Sequence, residues 1–255
     1  MPRTRPLDLV RCLAPDPLPP ADNMALDDLL LEEPGWFVRL TRWDRPAVTI
    51  GRFQPWPDSA AADDSGFPRL HPVGQISPPA KTLPAVRRVT GGGAILHGED
   101  LTLAIAGDCP SEIFPRRRPT EVAARISLIL ADLFDAPAAS RSGQDREGAM
   151  KNIADCFLRR SPSDVVVTTR DGIIKAGGIA LAFRNGRVLI EASLRRDLLV
   201  ADPADDLPRL TRLARSLGLE VADGEPENPL LSESWSQQVA RRVEERFGNP
   251  AWNRR

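Results

Sequence analysis

The side chains best suited to chemistry surround three consecutive glycines, Gly91 to Gly93. Without Cβ atoms, these residues let a ligand approach the main chain, and they permit the positive φ angles that turn several N–H groups outward together. The polar residues around them are Arg87, Arg88, Thr90, His97 and Asp100. Three glycines alone indicate a solvated hairpin, but this combination of groups is more specific. It matches neither GxGxxG at a helix start nor GxxxxGK[ST], so it does not support nucleotide binding through those two loops.

Two further residues could react chemically, Lys175 and Cys156. Lys175 follows the predicted Asp171-Gly172 turn, where a lone lysine is normally a solvated charge. Cys156 stands beside Phe157, and a cysteine in such a setting is more often a small buried side chain. A thiolate is nevertheless a good nucleophile, and a nearby ammonium lowers the pKa of a thiol.

Hydrophobic spacing predicts the elements that position these groups. The alternation of Leu101, Leu103 and Ile105 is typical of a half-buried strand, and Asn185-Gly186 predicts a hairpin. Strands are predicted over residues 36–43, 47–53, 85–89, 101–106, 165–167, 178–183 and 187–194. Helices are predicted from a cap at Asp22 or Asn23, from Thr120, and over residues 206–216 and 232–247. Two long loops remain, the proline-rich 55–84 and the polar 138–152, which is a candidate mobile loop.

Composition restricts the class of protein. The 255 residues are 42% hydrophobic and 27% charged, with a net charge of −1, which are globular values that give no indication of nucleic-acid binding. No apolar run is long enough to cross a membrane, and the N-terminus lacks the apolar core of a signal peptide. Three irregularly spaced cysteines without a CxxC pair, together with only two histidines, do not indicate a structural zinc site. We therefore expect a cytoplasmic protein with no bound metal.

The segment RRVTGGGAILHGEDLTLAI resembles the RRxTGGGAxxHxxDLxYS signature of the lipoate-protein ligase A and octanoyltransferase family. The resemblance implies that the matching residues line a pocket for an acyl chain or acyl-adenylate; these are Arg88, Thr90, Gly91, Gly92, Gly93, His97 and Asp100. Leu103-Ala104 stands where the family usually has Tyr-Ser. AVTIGRFQ is similar to the family's strand ending in IGRxQ, which implies that Arg52 and Gln54 lie near the same pocket.

The same resemblance assigns roles to the two reactive groups. DGIIKAGGIA is similar to the family's DGRKISGSA, whose lysine is its hallmark active residue, so Lys175 is implied as the group that stabilises the acyl oxyanion, with Gly178 nearby. DCFLRRSPSDVVV resembles ACFxxPSxxELVV of the octanoyltransferase branch that uses a cysteine nucleophile. That alignment, which needs about two extra residues near Arg159-Arg160, implies Cys156 as the nucleophile.

One departure concerns the strand after the hairpin. The family usually carries HGxL there, and this chain has Ile190-Glu191-Ala192-Ser193-Leu194 instead. Loss of the His-Gly pair leaves pocket shape and substrate open. The RGGxxTYHGPGQ signature of the other octanoyltransferase branch and the GRGRxGR of biotin ligases are absent from the sequence.

The expected fold is α+β, a central and largely antiparallel mixed sheet with helices packed on it, as in the catalytic domain of biotin and lipoate ligases. We expect residues 1–255 to form one such domain.

The expected function is transfer of an octanoyl or lipoyl group from a carrier thioester to a lysine of a lipoyl domain through an acyl-Cys156 intermediate, with no cofactor required. Two alternatives stay open. One is a lipoate ligase that uses ATP and Mg²⁺ to form an acyl-adenylate. The other is a non-catalytic binder of lipoyl domains or acyl groups. The implied acceptors are the lipoyl-domain E2 subunits of dehydrogenase complexes or the glycine cleavage H protein, and acyl carrier protein is an implied donor. Arg116 to Arg118 form either a solvated surface or a docking patch for such an acidic carrier.

Overall fold

The computed structural model describes residues 9–56, 83–133, 139–141, 161–170, 172–199, 204, 206–221 and 226–254. The strands are β1 Leu9–Leu13, β2 Trp36–Thr41, β3 Ala47–Ile50, β4 Ala85–Arg87, β5 Ile95–His97, β6 Asp100–Asp108, β7 Ala139–Arg141, β8 Val165–Thr169, β9 Gly172–Arg184, β10 Arg187–Arg195 and β11 Glu220–Val221. The helices are α1 Pro20–Leu30, α2 Pro119–Leu133, α3 Arg196–Leu199, α4 Asp206–Ser216, α5 Glu233–Arg242 and α6 Pro250–Asn253, with a 3-10 turn at Pro229–Leu231 and a π-helical segment at Val243–Phe247.

Among these residues, eight strands form one mixed sheet in the order β11-β1-β2-β6-β10-β9-β8-β7. Pairing is parallel only for β1 with its two neighbours and antiparallel elsewhere in this sheet. Strands β3, β4 and β5 form a second, smaller sheet in the order β4-β3-β5. The predicted α+β class with a largely antiparallel mixed sheet is confirmed.

The long hairpin of β9 and β10 follows from its turn residues. Asn185 and Gly186 have φ angles of 47° and 77°, the left-handed values that a two-residue type I′ turn demands. The turn sets the register, in which Arg187 pairs with Arg184 and Leu194 with Gly177. Strand β10 then pairs along its whole length with β6, so these two buried strands form the centre of the sheet.

Helices cover both faces of the large sheet because its strands alternate apolar side chains between two cores. On one face, Ile126 of α2 and Leu213 of α4 pack against Leu103 and Ile105 of β6. On the other face, α1 and the C-terminal segments pack against residues such as Ala104. Among the described helices, none is both long enough and apolar enough to span a lipid bilayer.

One local prediction is wrong, and one helix has the predicted bounds but changes type along its length. Helix α1 begins at Pro20, after Pro19, without a side-chain cap, rather than at a cap on Asp22 or Asn23. The Asn23 side chain instead donates to the carbonyl oxygens of Leu18 and Arg42, because tertiary acceptors compete with the helix terminus. The predicted last helix ends as α-helix at Arg242 and continues as the π-helical segment. Most of the 55–84 loop and of the 138–152 loop lies outside the described residues.

A buried carboxylate fastens the C-terminal helical segments to α1. The side chain of Asp28 is 2% exposed, and its oxygens lie 2.9 Å from Arg184 Nη2 and 2.8 Å from Arg246 Nη1. Arg242 Nε lies 3.4 Å from the same carboxylate. Glu32, one turn further along and 43% exposed, also binds Arg184 and Arg242. The two carboxylates thus share partners but differ in burial.

We expect Asp28→Asn to lower the free energy of unfolding by about 3 kcal/mol, because the mostly buried Arg242 and the partly exposed Arg184 and Arg246 lose a buried counter-charge. The matched change Glu32→Gln should cost less than about 1 kcal/mol, since water already screens that carboxylate. Urea denaturation of the two variants and the parent protein measures both values. Equal losses in the two variants would contradict the assignment of the anchor to Asp28.

Candidate active site

One pocket formed by the described residues lies between the glycine turn, α1 and the β9–β10 hairpin. It contains about 430 Å³ of empty space, counted out to the solvent at its mouth. Its lining residues are Met24, Asp27, Trp43, Arg88, Gly92, Ile95, His97, Thr102, Gly178, Ile179, Ala180, Glu191, Ala192 and Ser193. The exposed lining is mostly apolar, so the pocket is suited to a hydrocarbon chain.

Arg88 holds the glycine turn, residues 88–94, in shape. Its Nη2 donates to the carbonyl oxygens of Gly91 at 2.8 Å and Gly93 at 2.9 Å. Its Nη1 donates to Thr49 Oγ1 at 2.6 Å, and its Nε donates to Thr90 Oγ1 at 3.3 Å. The side chain is 3% exposed, so Arg88 acts as an internal frame of the turn rather than as a solvated charge.

The absence of side chains in this region is a steric requirement. Gly92 has a φ of +90°, and a Cβ atom there would lie 3.3 Å from Arg88 Nη2. A Cβ atom on Gly51 would lie 2.0 Å from the Gly92 carbonyl oxygen. The end of β3 and the glycine turn can therefore pack this closely only because both residues are glycine.

His97 and Asp100 form a second polar network on the pocket wall. His97 Nδ1 lies 2.8 Å from Asp100 Oδ2, and His97 Nε2 lies 2.7 Å from Thr49 Oγ1. Thr102 and Ser193 donate to the same Asp100 oxygen at 2.6 and 2.7 Å. The ring of Trp43 stacks on the imidazole with 4.2 Å between centroids. Through Thr49, this network connects to the guanidinium of Arg88.

Burial alone would raise the pKa of Asp100. The charge and hydrogen bond of His97, together with the two hydroxyl donors, outweigh it and lower the pKa to about 2. A carboxyl group with a depressed pKa stabilises the folded state above its unfolded pKa of 3.8, and this contribution is lost as the pH falls toward 2.

We expect Asp100→Asn to lower the free energy of unfolding at pH 7 by about 2 kcal/mol, the free energy equivalent of that pKa shift. The difference from the parent protein should shrink as the pH falls from 4 toward 2. Denaturant titrations at several pH values measure the profile, and Glu99→Gln, an exposed carboxylate in the same turn, is the control. A difference that stays constant across this range would contradict the assignment.

Glu191 is a site residue that the sequence analysis did not select. Its side chain is 8% exposed and lines the pocket, with Oε2 accepting a hydrogen bond from Thr90 Oγ1 and lying 3.6 Å from Arg88 Nε. Burial, followed by the charge of Asp27, raises the pKa of Glu191 to about 7. A glutamate in the middle of the otherwise apolar strand VLIEASL was the sequence signal for this residue.

Lys175 is buried, with a side chain that is 5% exposed, so it is not the solvated charge that a lone lysine on a hairpin normally is. Its Nζ lies 2.9 Å from Asp164 Oδ2, and that carboxylate is equally buried. Lys175 pairs with Val166, whose neighbours Val165 and Val167 face the core on the α2 side. The lysine therefore points to the opposite face of the sheet, which carries the pocket, although it is not among the pocket-lining residues.

The other predicted site residues divide into three groups. Arg88, Gly92, His97 and Gly178 line the pocket directly, whereas Thr90, Gly91, Gly93 and Asp100 lie behind them in the turn and its network.

Arg52 and Gln54 do not line the pocket; the backbone N–H of Arg52 donates to the Thr90 carbonyl, and Gln54 Oε1 accepts from the Gly51 N–H. Cys156 lies outside the described residues. Among those described, no cluster of His, Cys, Asp and Glu is arranged to hold a metal ion.

Comparison with known proteins gives sequence relatives of one kind. The chain is 34% identical over 92 residues to octanoyltransferase LipM of Carboxydothermus hydrogenoformans, which covers 34% of this chain and 29% of that protein. It is 29% identical over 195 residues to octanoyltransferase LipM of Geobacillus kaustophilus, which covers 71% of this chain and 63% of that protein. The matches thus span less than two thirds of these relatives. No family model matches the chain.

The fold is shared with solved lipoate ligase structures. A T. acidophilum protein described as a lipoate protein ligase, with bound lipoic acid, superposes with a TM-score of 0.66 at 16% identity, covering 98% of this chain and 100% of that one. Lipoate-protein ligase A bound with ATP gives 0.64 at 16% identity, covering 97% and 98%. The ligase of a bi-partite archaeal system, studied with its E2 lipoyl domain, gives 0.61 at 16% identity, covering 96% and 95%.

The resemblance to the lipoate-protein ligase and octanoyltransferase family is confirmed. The sequence relatives support it over as much as 71% of the chain, and the fold is that of solved lipoate-protein ligase structures. The glycine turn carries the motif of that resemblance, so the pocket against it is the candidate active site.

Proposed function

We propose that this protein is an acyltransferase of lipoate metabolism, which moves an octanoyl or lipoyl group from a carrier thioester to a lysine of a lipoyl domain. The observation that carries the proposal is the mostly apolar pocket against the Arg88-braced glycine turn. The sequence relatives of this chain are octanoyltransferases, and this similarity favours transfer from a thioester over activation of a free acid. We propose that residues 1–255 act as one catalytic domain, and that the protein works in the cytoplasm.

Cys156 is the proposed nucleophile. Its thiolate sulfur attacks the carbonyl carbon of the donor thioester, the bond from that carbon to the carrier sulfur breaks, and the carrier thiolate leaves and takes up a proton. The amine of the acceptor lysine then attacks the acyl-Cys156 carbonyl. An amide forms, the Cys156 thiolate leaves, and the proton of the attacking amine is released.

The two cysteines that the structure describes are poor alternatives for this role. Cys12 and Cys109 are both buried. Burial raises the pKa of the Cys12 thiol, assisted by the charge of Glu227, and burial also raises the pKa of Cys109 against the opposing charge of Arg117. A raised pKa and a closed surface leave little thiolate to react at neutral pH.

Lys175 is the proposed electrostatic catalyst. In this proposal its ammonium stabilises the oxyanion that forms at the acyl carbonyl in both steps. Asp164 holds the ammonium on the face of the sheet that bears the pocket. Asp164 is itself held by the Ser161 N–H at 2.6 Å, and α2 supports the same turn through Ser127, which donates to the Ser163 carbonyl.

The partners of the reaction follow from the same proposal. The acceptors would be E2 lipoyl domains or the glycine cleavage H protein, in keeping with a fold relative that was studied with its E2 lipoyl domain. Acyl carrier protein is the proposed donor, and the transfer would need no cofactor. We propose no contact with nucleic acid or membrane.

We expect incubation with octanoyl carrier protein to add one octanoyl group to the protein, detected by intact mass. Cys156→Ser should abolish this adduct and the transfer activity, while Cys12→Ser, the matched change at a buried thiol, should leave the adduct in place. An active Cys156→Ser variant without an adduct in the parent protein would contradict the acyl-enzyme route.

We expect Lys175→Arg to lower the transfer rate by at least about 100-fold, the scale of losing one oxyanion donor. A planar guanidinium keeps the charge but cannot reproduce the position of a compact ammonium. Steady-state kinetics measure the loss, and circular dichroism confirms folding. Asp164→Asn is the companion variant. It should lower kcat more than it raises KM, because the lysine side chain is still present but the carboxylate that positions its ammonium is lost. Near-normal turnover of Lys175→Arg would remove the lysine from the mechanism.

The ligase is the second candidate function, since a fold relative is a lipoate-protein ligase bound with ATP. That route would form an acyl-adenylate from lipoate, ATP and Mg²⁺. Release of pyrophosphate on addition of lipoate and ATP distinguishes it from the transferase, which releases none. A non-catalytic binder would show acyl binding with neither an adduct nor pyrophosphate.

A further inference from the structure

A surface loop, residues 51–54, lies beside the glycine turn at the edge of the pocket, and we call it the rim loop. A Cβ atom on Gly91 would lie 3.9 Å from the ring of Phe53, so this ring stands against the turn. Gly92, the next residue of the turn, lines the pocket and is exposed to solvent. The rim loop is therefore part of the surface that a molecule approaching the pocket would meet.

The backbone of the rim loop is fixed from inside the fold. Arg87 is 1% exposed, and its Nη1 donates to the carbonyl oxygen of Gly51 at 2.9 Å. The same nitrogen donates to the carbonyl oxygens of Arg52 at 3.2 Å and Gln54 at 2.7 Å. The Arg52 N–H in turn donates to the Thr90 carbonyl oxygen at 2.8 Å. The loop lies on the surface, but these bonds fix its backbone, so the side chains that it exposes are held in defined places.

Two side chains of the rim loop project into solvent. Phe53 is 83% exposed, which is unusual for a ring on a backbone that is held so firmly. Arg52 is also exposed, and its Cζ lies 5.7 Å from the centroid of the Phe53 ring. No carboxylate of the described residues forms an ion pair with Arg52. The rim loop thus presents an aromatic surface and a guanidinium whose N–H donors face solvent.

We propose that the rim loop is a docking site for the acceptor protein, where Arg52 binds a carboxylate beside the target lysine and Phe53 packs on an apolar side chain of the acceptor. The planar donors of a guanidinium match the two oxygens of a carboxylate. Arginine and aromatic residues are also the types that most often anchor a protein interface. This inference rests on the proposed transfer of an acyl group to a lysine.

The place of the rim loop favours the acceptor over the donor as its partner. The acyl carbonyl has to lie at the open end of the pocket, where the lysine amine can attack it. The residues next to that lysine are then separated from the rim by no more than the length of one side chain, whereas a carrier with its acyl group on a long arm need not touch the rim. Because Arg52 is the one charged residue among residues 51–54, the complementary partner surface is acidic.

The test is transfer from octanoyl carrier protein to a lipoyl domain by Arg52→Glu protein. We expect the acceptor KM to rise at least about 10-fold, because charge reversal replaces attraction by repulsion. The rise should shrink as the salt concentration increases. The rate of acyl adduct formation from the donor should stay that of the parent protein. Arg215→Glu makes the same charge change at an exposed arginine of α4, on the other face of the sheet, and should leave the acceptor KM unchanged.

Two further variants make the test decisive. Phe53→Ala should raise the acceptor KM with little dependence on salt, since it removes an apolar contact. Replacing the carboxylate nearest the target lysine of the lipoyl domain by arginine should weaken transfer by the parent protein and lower the acceptor KM of Arg52→Glu. Circular dichroism confirms that the variants fold.

The possible outcomes separate this inference from the proposed function. An acceptor KM that is unchanged in Arg52→Glu and Phe53→Ala, or a charge exchange without recovery, would overturn docking on the rim loop and leave acyl transfer standing. A higher KM for the donor with an unchanged acceptor KM would assign the loop to the carrier and overturn the role of the acceptor. A parent protein that forms no adduct and transfers no acyl group would overturn the proposed function, and acceptor docking with it.

Discussion

The candidate site depends on one buried guanidinium. Arg88 donates to two carbonyl oxygens of the glycine turn, to Thr49 and to Thr90, and so determines the path of a segment whose three glycines have no side chains to pack. A glycine turn gains freedom from its missing Cβ atoms and needs an external constraint to adopt one conformation. Arg88 supplies that constraint from inside the fold, where its planar set of donors can reach several acceptors at once.

The pocket wall is continuous with this frame. The Thr49 hydroxyl is hydrogen-bonded to both Arg88 and His97, and His97 in turn contacts Asp100. The Thr90 hydroxyl accepts from Arg88 and donates to Glu191. These polar side chains of the site therefore form one connected network, and the exposed surface toward the cavity is mostly apolar. Such an arrangement holds the shape of a hydrocarbon site without exposing charge to it.

Buried carboxylates are also paired with cationic side chains away from the site. Asp28 gathers arginines from β9 and from the C-terminal helical segments, and Asp164 pairs with Lys175 at the start of the hairpin. Each of these carboxylates stands at a junction between different segments of the chain. Because an unpaired buried charge is strongly destabilising, each of these ion pairs favours the one packing of its elements that keeps the charges together.

How much the sequence determined can be seen from particular residues. The alternation along β6 and the Asn185-Gly186 turn are local signals, so this strand and the central hairpin could be predicted from spacing, whereas the α+β class was implied by the family resemblance. The glycine motif carried that resemblance and predicted the candidate site, since short-range steric requirements are written in consecutive residues. The roles of Cys156 and Lys175 came from the resemblance and stay predictions.

The tertiary structure decided which side chains meet. Asn23 lost its predicted capping role because acceptors from residues 18 and 42 lie within reach of its amide. Lys175 became buried because Asp164, eleven positions earlier, faces it across the register shift between β8 and β9. Glu191 became a pocket residue because the fold brings the glycine turn against β10, where Thr90, 101 positions earlier in the chain, donates to its carboxylate. Burial and long-range charge pairing depend on the closed fold, and local sequence patterns carry no record of them.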